Sequence, residues 1–152
     1  MSRHGVTVMW DLEGGDFAGR QYSRRHRLLF EGGVEVAGSA SPSVVDARFV
    51  GGPAVDPEAA FIASLSACHM LWFLDLAARD GWVVEAYRDD AQGTLGRTPA
   101  GRMAMTRVEL RPAATFSGHE PAAAEIAALH HAAHDACFIA NSVSTEVVIS
   151  PA

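Results

Sequence analysis

The stretch Val55–Gly81, VDPEAAFIASLSACHMLWFLDLAARDG, predicts the helix around which the rest of the chain folds. Asp56 can accept a hydrogen bond from the first helical turn, and Pro57 suits the first helical position. Arg79 in the last turn and Gly81 just beyond it are typical of a helix end. The sequence therefore predicts one long helix that begins at Pro57 and ends just before Gly81.

Apolar side chains occupy most of the circumference of this predicted helix. They are Phe61, Ile62, Leu65, Met70, Leu71, Trp72, Phe73, Leu74 and Leu76. A helix that is apolar nearly all round lies in the middle of a core or an interface. A membrane span is the competing interpretation, but Ser64, Ser66 and His69 interrupt a run that falls short of the roughly 18–20 apolar residues a span needs. We therefore predict a buried central helix and no membrane partner.

The composition favours an ordinary globular protein. The 152 residues suit one core, so we predict a single domain over residues 1–152. The net charge of -6 argues against a nucleic-acid partner, because the only basic cluster is the short run 24–27. The N-terminal residues lack the apolar segment of about 7–15 residues found in a signal peptide. These features predict a cytoplasmic protein, in which cysteines are more often free or reactive than structural.

The remaining elements alternate between strands and helices. Strands are predicted at Val6–Trp10, Gln21–Phe30, Val34–Ser39, Trp82–Thr94, Met103–Phe116 and Thr145–Ile149, with an irregular loop over Ser41–Val55 and a second helix over Ala122–Asp135. Pro112 is expected at a strand edge or a bulge. This order predicts an α+β domain.

Two cysteines, Cys68 in the central helix and Cys137 after the second helix, are the candidates for reactive groups. A reactive thiol needs a neighbour that favours the thiolate, and His69 points about 100° away from its neighbour on the helix. Glu58 lies about 15 Å earlier along the helix, so it can act only through a long side chain such as Arg48 or from another subunit. A small buried hydrophobic residue is the alternative interpretation of each cysteine.

The run DPEAAFIASLSACHMLWF resembles the central-helix motif of the OsmC/Ohr family of thiol peroxidases. In that motif a Pro-Glu pair opens the helix, and the peroxidatic cysteine follows ten residues after the glutamate in an Ala-Cys context. Pro57, Glu58, Ala67 and Cys68 match this motif at the same spacing. Cys137, in HDACFIANSVSTEVVIS, lies between a helix and a last strand, as the second cysteine of the family does.

The resemblance implies an OsmC-like α+β fold with antiparallel sheets around a long buried central helix. It also implies an intertwined homodimer with its two active sites at the subunit interface. In such a site Cys68 reduces an organic hydroperoxide and becomes a sulfenic acid, with which Cys137 then forms a disulfide. An external dithiol or lipoyl group would reduce that disulfide, and no cofactor is implied.

The family also uses an arginine upstream of the Pro-Glu pair. Arg48 in the loop is our match, and Arg24 and Arg25 are the alternatives. Arg48 would stabilise the thiolate and the peroxide, and Glu58 would orient Arg48. Phe138 stands directly after the second cysteine, where many family members have a proline.

The histidines of the second predicted helix support a different hypothesis. His130, His134 and Cys137 fall at i, i+4 and i+7, a spacing that can place zinc ligands on one helix face, and His131 is adjacent. The alternative is that these histidines are partly exposed helix residues without a ligand. Three functions therefore stay open: a thiol peroxidase, a metal-binding protein, and a non-catalytic small-molecule-binding member of the same fold.

Overall fold

The computed structural model describes residues 1–151, which form two long helices, eight strands and two short 3-10 helices. The strands are β1 Val6–Met9, β2 His26–Phe30, β3 Glu35–Gly38, β4 Val83–Asp89, β5 Gln92–Arg97, β6 Met103–Leu110, β7 Pro112–Ser117 and β8 Glu146–Ile149. The helices are α1 Pro57–Arg79 and α2 Ala123–Ala136, and the 3-10 helices are Ala47–Phe49 and Ala140–Ser142. This arrangement confirms the predicted α+β class. The chain divides into two compact units, Met1–Ala60 and Phe61–Ala152, and the single domain over residues 1–152 stays a prediction.

The first unit is built on an antiparallel meander in the order β1-β2-β3. Gly32 and Gly33 turn the chain between β2 and β3 with φ of 91° and 84°, a conformation that favours glycine. The loop that follows contains the 3-10 helix Ala47–Phe49, whose first turn is capped by the Asp46 carboxylate. The first unit therefore places Arg48 on a short, locally capped helix.

Helix α1 begins and ends where its local sequence predicts. Asp56 Oδ1 accepts a hydrogen bond from the Ala59 backbone N–H at 2.7 Å, and Gly81 follows the helix with φ of 84°. Among residues 1–151, α1 is the helix whose length and apolar composition would allow it to cross a membrane. Central helices of folded cores meet the same criterion, so composition alone does not decide between the two interpretations.

In the second unit, one stripe of α1 is fully buried and the opposite side is open. The buried residues recur every four positions and are Leu65, His69, Phe73 and Ala77. Phe73 and Ala77 pack against Leu129 and Ala133 of α2, and Leu65 packs against Val108 and Leu110 of β6. On the open side Leu71 is 63% exposed. The helix is therefore buried along one stripe in the single chain, whereas the sequence predicts burial all round.

The two long strands predicted after α1 each form two separate strands. Strands β4 and β7 pair antiparallel, whereas β5, β6 and β8 form another sheet. The break lies where Asp89 accepts hydrogen bonds from the Ser66 hydroxyl at 2.5 Å and the Arg111 backbone N–H at 2.6 Å. Pro112, which has no N–H, begins β7 opposite Asp89. The prediction of two uninterrupted strands was wrong because this side-chain interaction redirects the chain.

One strand pairing is parallel, although the sequence predicts antiparallel sheets. Strand β8 runs parallel to β6, with Arg107 opposite Glu146 and Leu110 opposite Ile149. A parallel pair needs a long crossover connection, and α2 lies within this one. The chain segment that contains Cys137 is therefore part of a crossover between two hydrogen-bonded strands.

Candidate functional site

The structure brings the two predicted cysteines together. Cys68 lies in the middle of α1, and Cys137 caps the C-terminal end of α2, where its backbone N–H donates to the His134 carbonyl at 3.1 Å. Both thiols are free, and the Cys68 side chain lies close enough to Cys137 to raise the pKa of the Cys137 thiol. Two cysteines that are 69 positions apart in the sequence are thus neighbours in the structure.

The two thiols differ in exposure. Cys68 is half-buried, whereas Cys137 is 1% exposed. Burial, together with the nearby Cys68 side chain, raises the pKa of Cys137 to about 11, against the opposing effect of the Ala140 N–H that donates to its sulfur at 3.4 Å. Cys137 therefore keeps its proton at neutral pH, and solvent reaches Cys68 more readily.

A mostly apolar groove of about 530 Å³ opens beside Cys68. Its lining residues are Ser64, Ala67, Cys68, Leu71, Trp72, Asp75, Phe138 and Ile139. The rings of Trp72 and Phe138 meet edge to face, with centroids 5.5 Å apart and an interplanar angle of 88°. The Asp75 carboxylate is paired with Arg79 at 2.6 Å. The groove thus offers an organic molecule an aromatic and aliphatic surface next to a thiol.

Phe138 is a groove residue that the sequence did not assign to the site. Its side chain is 70% exposed even though it follows the buried Cys137. The signal in the sequence was its position directly after the second cysteine, where the related motif has a proline. Phe138 therefore belongs with the residues that can contact a ligand.

Arg48 and Glu58 lie in the unit Met1–Ala60, apart from the cysteines in sequence. The guanidinium of Arg48 donates to Asp46 twice, from Nε to Oδ1 at 3.1 Å and from Nη2 to Oδ2 at 2.8 Å, and the side chain is 78% exposed. These hydrogen bonds lower the pKa of Asp46 to about 2. Glu58 Oε2 is buried, and no group in residues 1–151 donates to it. The predicted roles of Arg48 and Glu58 toward the thiol stay predictions.

The alternative arginines also have partners within that unit. Arg24 lies over the ring of Tyr22, with its guanidinium carbon 3.6 Å from the centroid, and donates to the Tyr22 carbonyl. Arg25 donates to the Gly51 carbonyl at 2.7 Å. Asp46 is the one carboxylate that pairs with any of these three arginines in the part of the chain that the structure describes.

The histidines of α2 make separate contacts. Buried His130 accepts or donates at Nδ1 in a 3.0 Å hydrogen bond with His69 Nε2, and exposed His131 lies 3.5 Å from Asp135. Within residues 1–151, no group of three or more His, Cys, Asp or Glu side chains is placed to hold a metal ion. His130, His134 and Cys137 therefore do not form the three-ligand cluster that their spacing suggested.

Comparison with known proteins defines the class of protein. A family model described as OsmC-like protein matches residues 50–151. The structure resembles that of an OsmC-like protein of unknown function from Vibrio cholerae O1 biovar eltor, with 45% sequence identity, full coverage of both chains and a TM-score of 0.98. The chain belongs to the OsmC-like family, as its central-helix motif predicted.

More distant solved structures share the fold. An organic hydroperoxide resistance protein from Elizabethkingia anophelis is 18% identical with a TM-score of 0.75, and the match covers 100% of this chain and 96% of that one. An organic hydroperoxide resistance protein from Legionella pneumophila is 20% identical with a TM-score of 0.71, and the match covers 100% and 98%. At these identities the likeness concerns the fold alone. A comparison with curated proteins finds no match.

Proposed function

We propose that the protein is a thiol-dependent peroxidase that reduces organic hydroperoxides to alcohols. The observation that carries this proposal is the closeness of Cys137 to Cys68, which itself lies at the wall of an apolar groove. Membership of the OsmC-like family supports it, and two structures of the same fold are named organic hydroperoxide resistance proteins.

In the first step, the thiolate of Cys68 attacks the distal oxygen of the hydroperoxide. The O–O bond breaks, the alkoxide takes up a proton and leaves as the alcohol, and Cys68 becomes a sulfenic acid. The organic part of the substrate lies in the groove against Trp72 and Phe138. Cys137 does not compete in this step, because it is buried and protonated at neutral pH.

In the second step, Cys137 resolves the sulfenic acid. Its thiol loses a proton, its sulfur attacks the sulfur of Cys68, and the hydroxyl group leaves with that proton as water. The two side chains are neighbours in the reduced protein, and disulfide formation brings the two sulfurs to bonding distance. An external dithiol or lipoyl group then reduces the disulfide by two exchange steps, so the cycle consumes one dithiol for each hydroperoxide.

The same proposal assigns the positive charge at the site to Arg48 and the orientation of its guanidinium to Glu58. Arg48 leaves Asp46 and supplies a positive charge to the thiolate and the peroxide, while Glu58 orients the guanidinium. The support is the buried oxygen of Glu58, which has no donor among residues 1–151 and would be satisfied by a guanidinium. The open apolar side of α1, where Leu71 is exposed, supports a homodimer that covers part of this surface.

The proposal is tested by oxidising two variants with cumene hydroperoxide. Cys68→Ser should abolish turnover with a dithiol reductant, because the nucleophile is lost. Cys137→Ser should keep the first step, and dimedone should label Cys68 in this variant stoichiometrically by mass spectrometry. If dimedone labels Cys137 in the Cys68→Ser variant as fast as the wild-type protein is oxidised, the roles of the two cysteines are reversed. Unchanged dithiol-dependent turnover in both variants would end the peroxidase proposal.

A further inference from the structure

A buried pair of imidazoles joins the two helices that carry the cysteines. His69 Nε2 and His130 Nδ1 are 3.0 Å apart, and the two rings lie within 8° of parallel. His69 is 1% exposed and follows Cys68 on α1, whereas His130 is 4% exposed and lies seven residues before Cys137. The ring of Phe73 stacks on that of His130, with the two centroids 4.4 Å apart. The proposed peroxidase chemistry makes no use of this pair.

The hydrogen bond between the rings requires one proton, and the surroundings indicate which ring provides it. His69 Nδ1 is buried, and nothing within residues 1–151 hydrogen-bonds to it. If His130 were the donor, His69 would carry its own proton on Nδ1 and leave a buried N–H without an acceptor. Such N–H groups are rarer than unpaired lone pairs. His69 Nε2–H therefore donates to His130 Nδ1, and both rings are neutral.

An additional proton is incompatible with this arrangement. On His130 Nδ1 it would place two N–H donors against each other, and on His69 Nδ1 it would leave a buried donor unsatisfied. Burial lowers the pKa of His69 to about 4, helped by His130 and His134, and burial also lowers the pKa of His130. The charge of Asp89 in β4 opposes this effect on His130 by favouring a higher pKa. Tyr87 of β4 stays neutral because burial raises its pKa.

We propose that His69 and His130 are positioning residues, whose hydrogen bond holds Cys137 against Cys68 so that the disulfide forms quickly only while both imidazoles are neutral. This inference rests on the proposed function, because it assigns a device to the second step of that reaction. The geometry supports it: the bond lies one residue from Cys68 on one helix and two turns from Cys137 on the other. Acid would therefore slow resolution while leaving the sulfenic acid exposed to further oxidation.

Two kinds of variant separate the hydrogen bond from the packing. His69→Leu and His130→Leu remove the bond. The double variant His69→Gln/His130→Asn keeps a donor near the Nε2 position and an acceptor near the Nδ1 position, but neither amide titrates in this range. Leu129→Ala is the matched control, because it loosens the same contact between α1 and α2 without touching the imidazoles.

The first measurement follows the fate of the sulfenic acid at neutral pH. Each reduced protein is mixed with one equivalent of cumene hydroperoxide and dimedone, and mass spectrometry gives the ratio of Cys68 adduct to disulfide. Loss of a buried hydrogen bond predicts a ratio about tenfold higher in the folded leucine variants, with the double variant within about threefold of the wild type. Wild-type ratios in both leucine variants, or an equal rise in Leu129→Ala, would overturn the inference.

The second measurement uses only the wild type and the double variant, so it decides the matter even if the leucine variants do not fold. The rate of disulfide formation is measured in both proteins from neutral pH down to about pH 4, and the wild-type rate is divided by that of the double variant. The titration of Cys137 is common to both proteins and cancels. The quotient should be constant above about pH 6 and fall about twofold by pH 4, where half of the His69 rings carry an additional proton. A constant quotient would overturn the inference.

A third arm separates this inference from the peroxidase proposal. Diamide accepts two electrons and two protons from a pair of thiols, so it forms the disulfide without a peroxide. If cumene hydroperoxide gives neither the dimedone adduct of Cys68 nor the disulfide in the wild type, the peroxidase proposal fails. The order of diamide-driven rates still tests positioning: the wild type and the double variant should be faster than the leucine variants. Equal rates in all of them would overturn positioning.

Discussion

The two sides of α1 have similar residue types but different surroundings. On the buried side, Leu65 and Phe73 pack against strands and α2, and His69 hydrogen-bonds to His130. On the groove side, Leu71 is 63% exposed, and Cys68 lies where solvent and the groove meet. A helix needs only one packed stripe for its stability, so the apolar surface on the other side is available for binding.

The largest difference in stability should appear when a phenylalanine is replaced by alanine in the buried core beside α1 and in the groove on its other side. Phe73→Ala removes a fully buried ring and should lower the free energy of unfolding by about 3–5 kcal/mol. Phe138→Ala removes a ring that is 70% exposed and should lower it by less than about 1 kcal/mol. Urea unfolding monitored by circular dichroism measures both. Comparable losses would show that the groove side is as tightly packed as the core.

The buried side should also determine the acid sensitivity of the fold. The folded pKa of His69 is about 4, below its ordinary 6.5, so the unfolded chain binds a proton first as the pH falls. Stability is then fully present above about pH 6.5 and declines by roughly 3 kcal/mol as the pH approaches 4.

Urea unfolding at a series of pH values tests this, with His69→Gln as the variant. It should show a smaller loss between neutral pH and about pH 4.5, because glutamine does not titrate. An equally steep decline in His69→Gln would assign the acid sensitivity to other groups.

The next effect concerns the charge supplied to the groove side. Arg48→Ala should slow the reaction of the protein with cumene hydroperoxide about tenfold, since a positive charge near a thiolate is worth at least about one pKa unit. Asp46→Ala, which frees Arg48 from its partner, should not slow it. Stopped-flow kinetics with Arg24→Ala and Arg25→Ala as controls identifies the arginine that acts. If Arg24→Ala or Arg25→Ala slows the reaction and Arg48→Ala does not, Arg48 is the wrong choice.

The smallest effect should appear in substrate preference. Phe138→Ala removes part of the aromatic wall and should raise the KM for cumene hydroperoxide about threefold, with kcat unchanged. Hydrogen peroxide has no organic group to place in the groove, so its kcat/KM should stay the same. Steady-state assays with both peroxides make the comparison. Equal changes for the two substrates would remove Phe138 from the binding surface.

Local signals were sufficient to predict α1 and its two ends. Asp56 and Gly81 define the ends of the helix through interactions within a few residues, so the sequence alone predicts them. The order of elements and the spacing of Glu58 and Cys68 predicted the family. The contact of Cys68 with Cys137 could only be inferred from the resemblance, because a separation along the chain says nothing about distance in space.

Interactions between distant residues explain what the sequence did not predict. The split of two long strands depends on Asp89 accepting from Arg111, 22 positions away. The imidazole pair joins residues 61 positions apart, although both occupy positions on buried helix stripes. Asp46 and Arg48 are two positions apart in the sequence, but the ion pair between them depends on the 3-10 helix that Asp46 caps. Residue propensity and periodicity predict which face of a helix or strand is buried, whereas these features depend on contacts between particular pairs of residues.

The parallel pairing of β6 with β8 also affects the order of events during synthesis. Cys137 lies in the crossover that this pairing closes, and crossovers with large sequence separation form late because loop closure must precede their contacts. A chain emerging from the ribosome therefore carries Cys68, the proposed nucleophile, on a helix well before β8 is available to complete the sheet. Under the proposed mechanism an oxidised Cys68 would have no resolving partner during that interval, so exposure to peroxide should harm nascent chains more than finished ones.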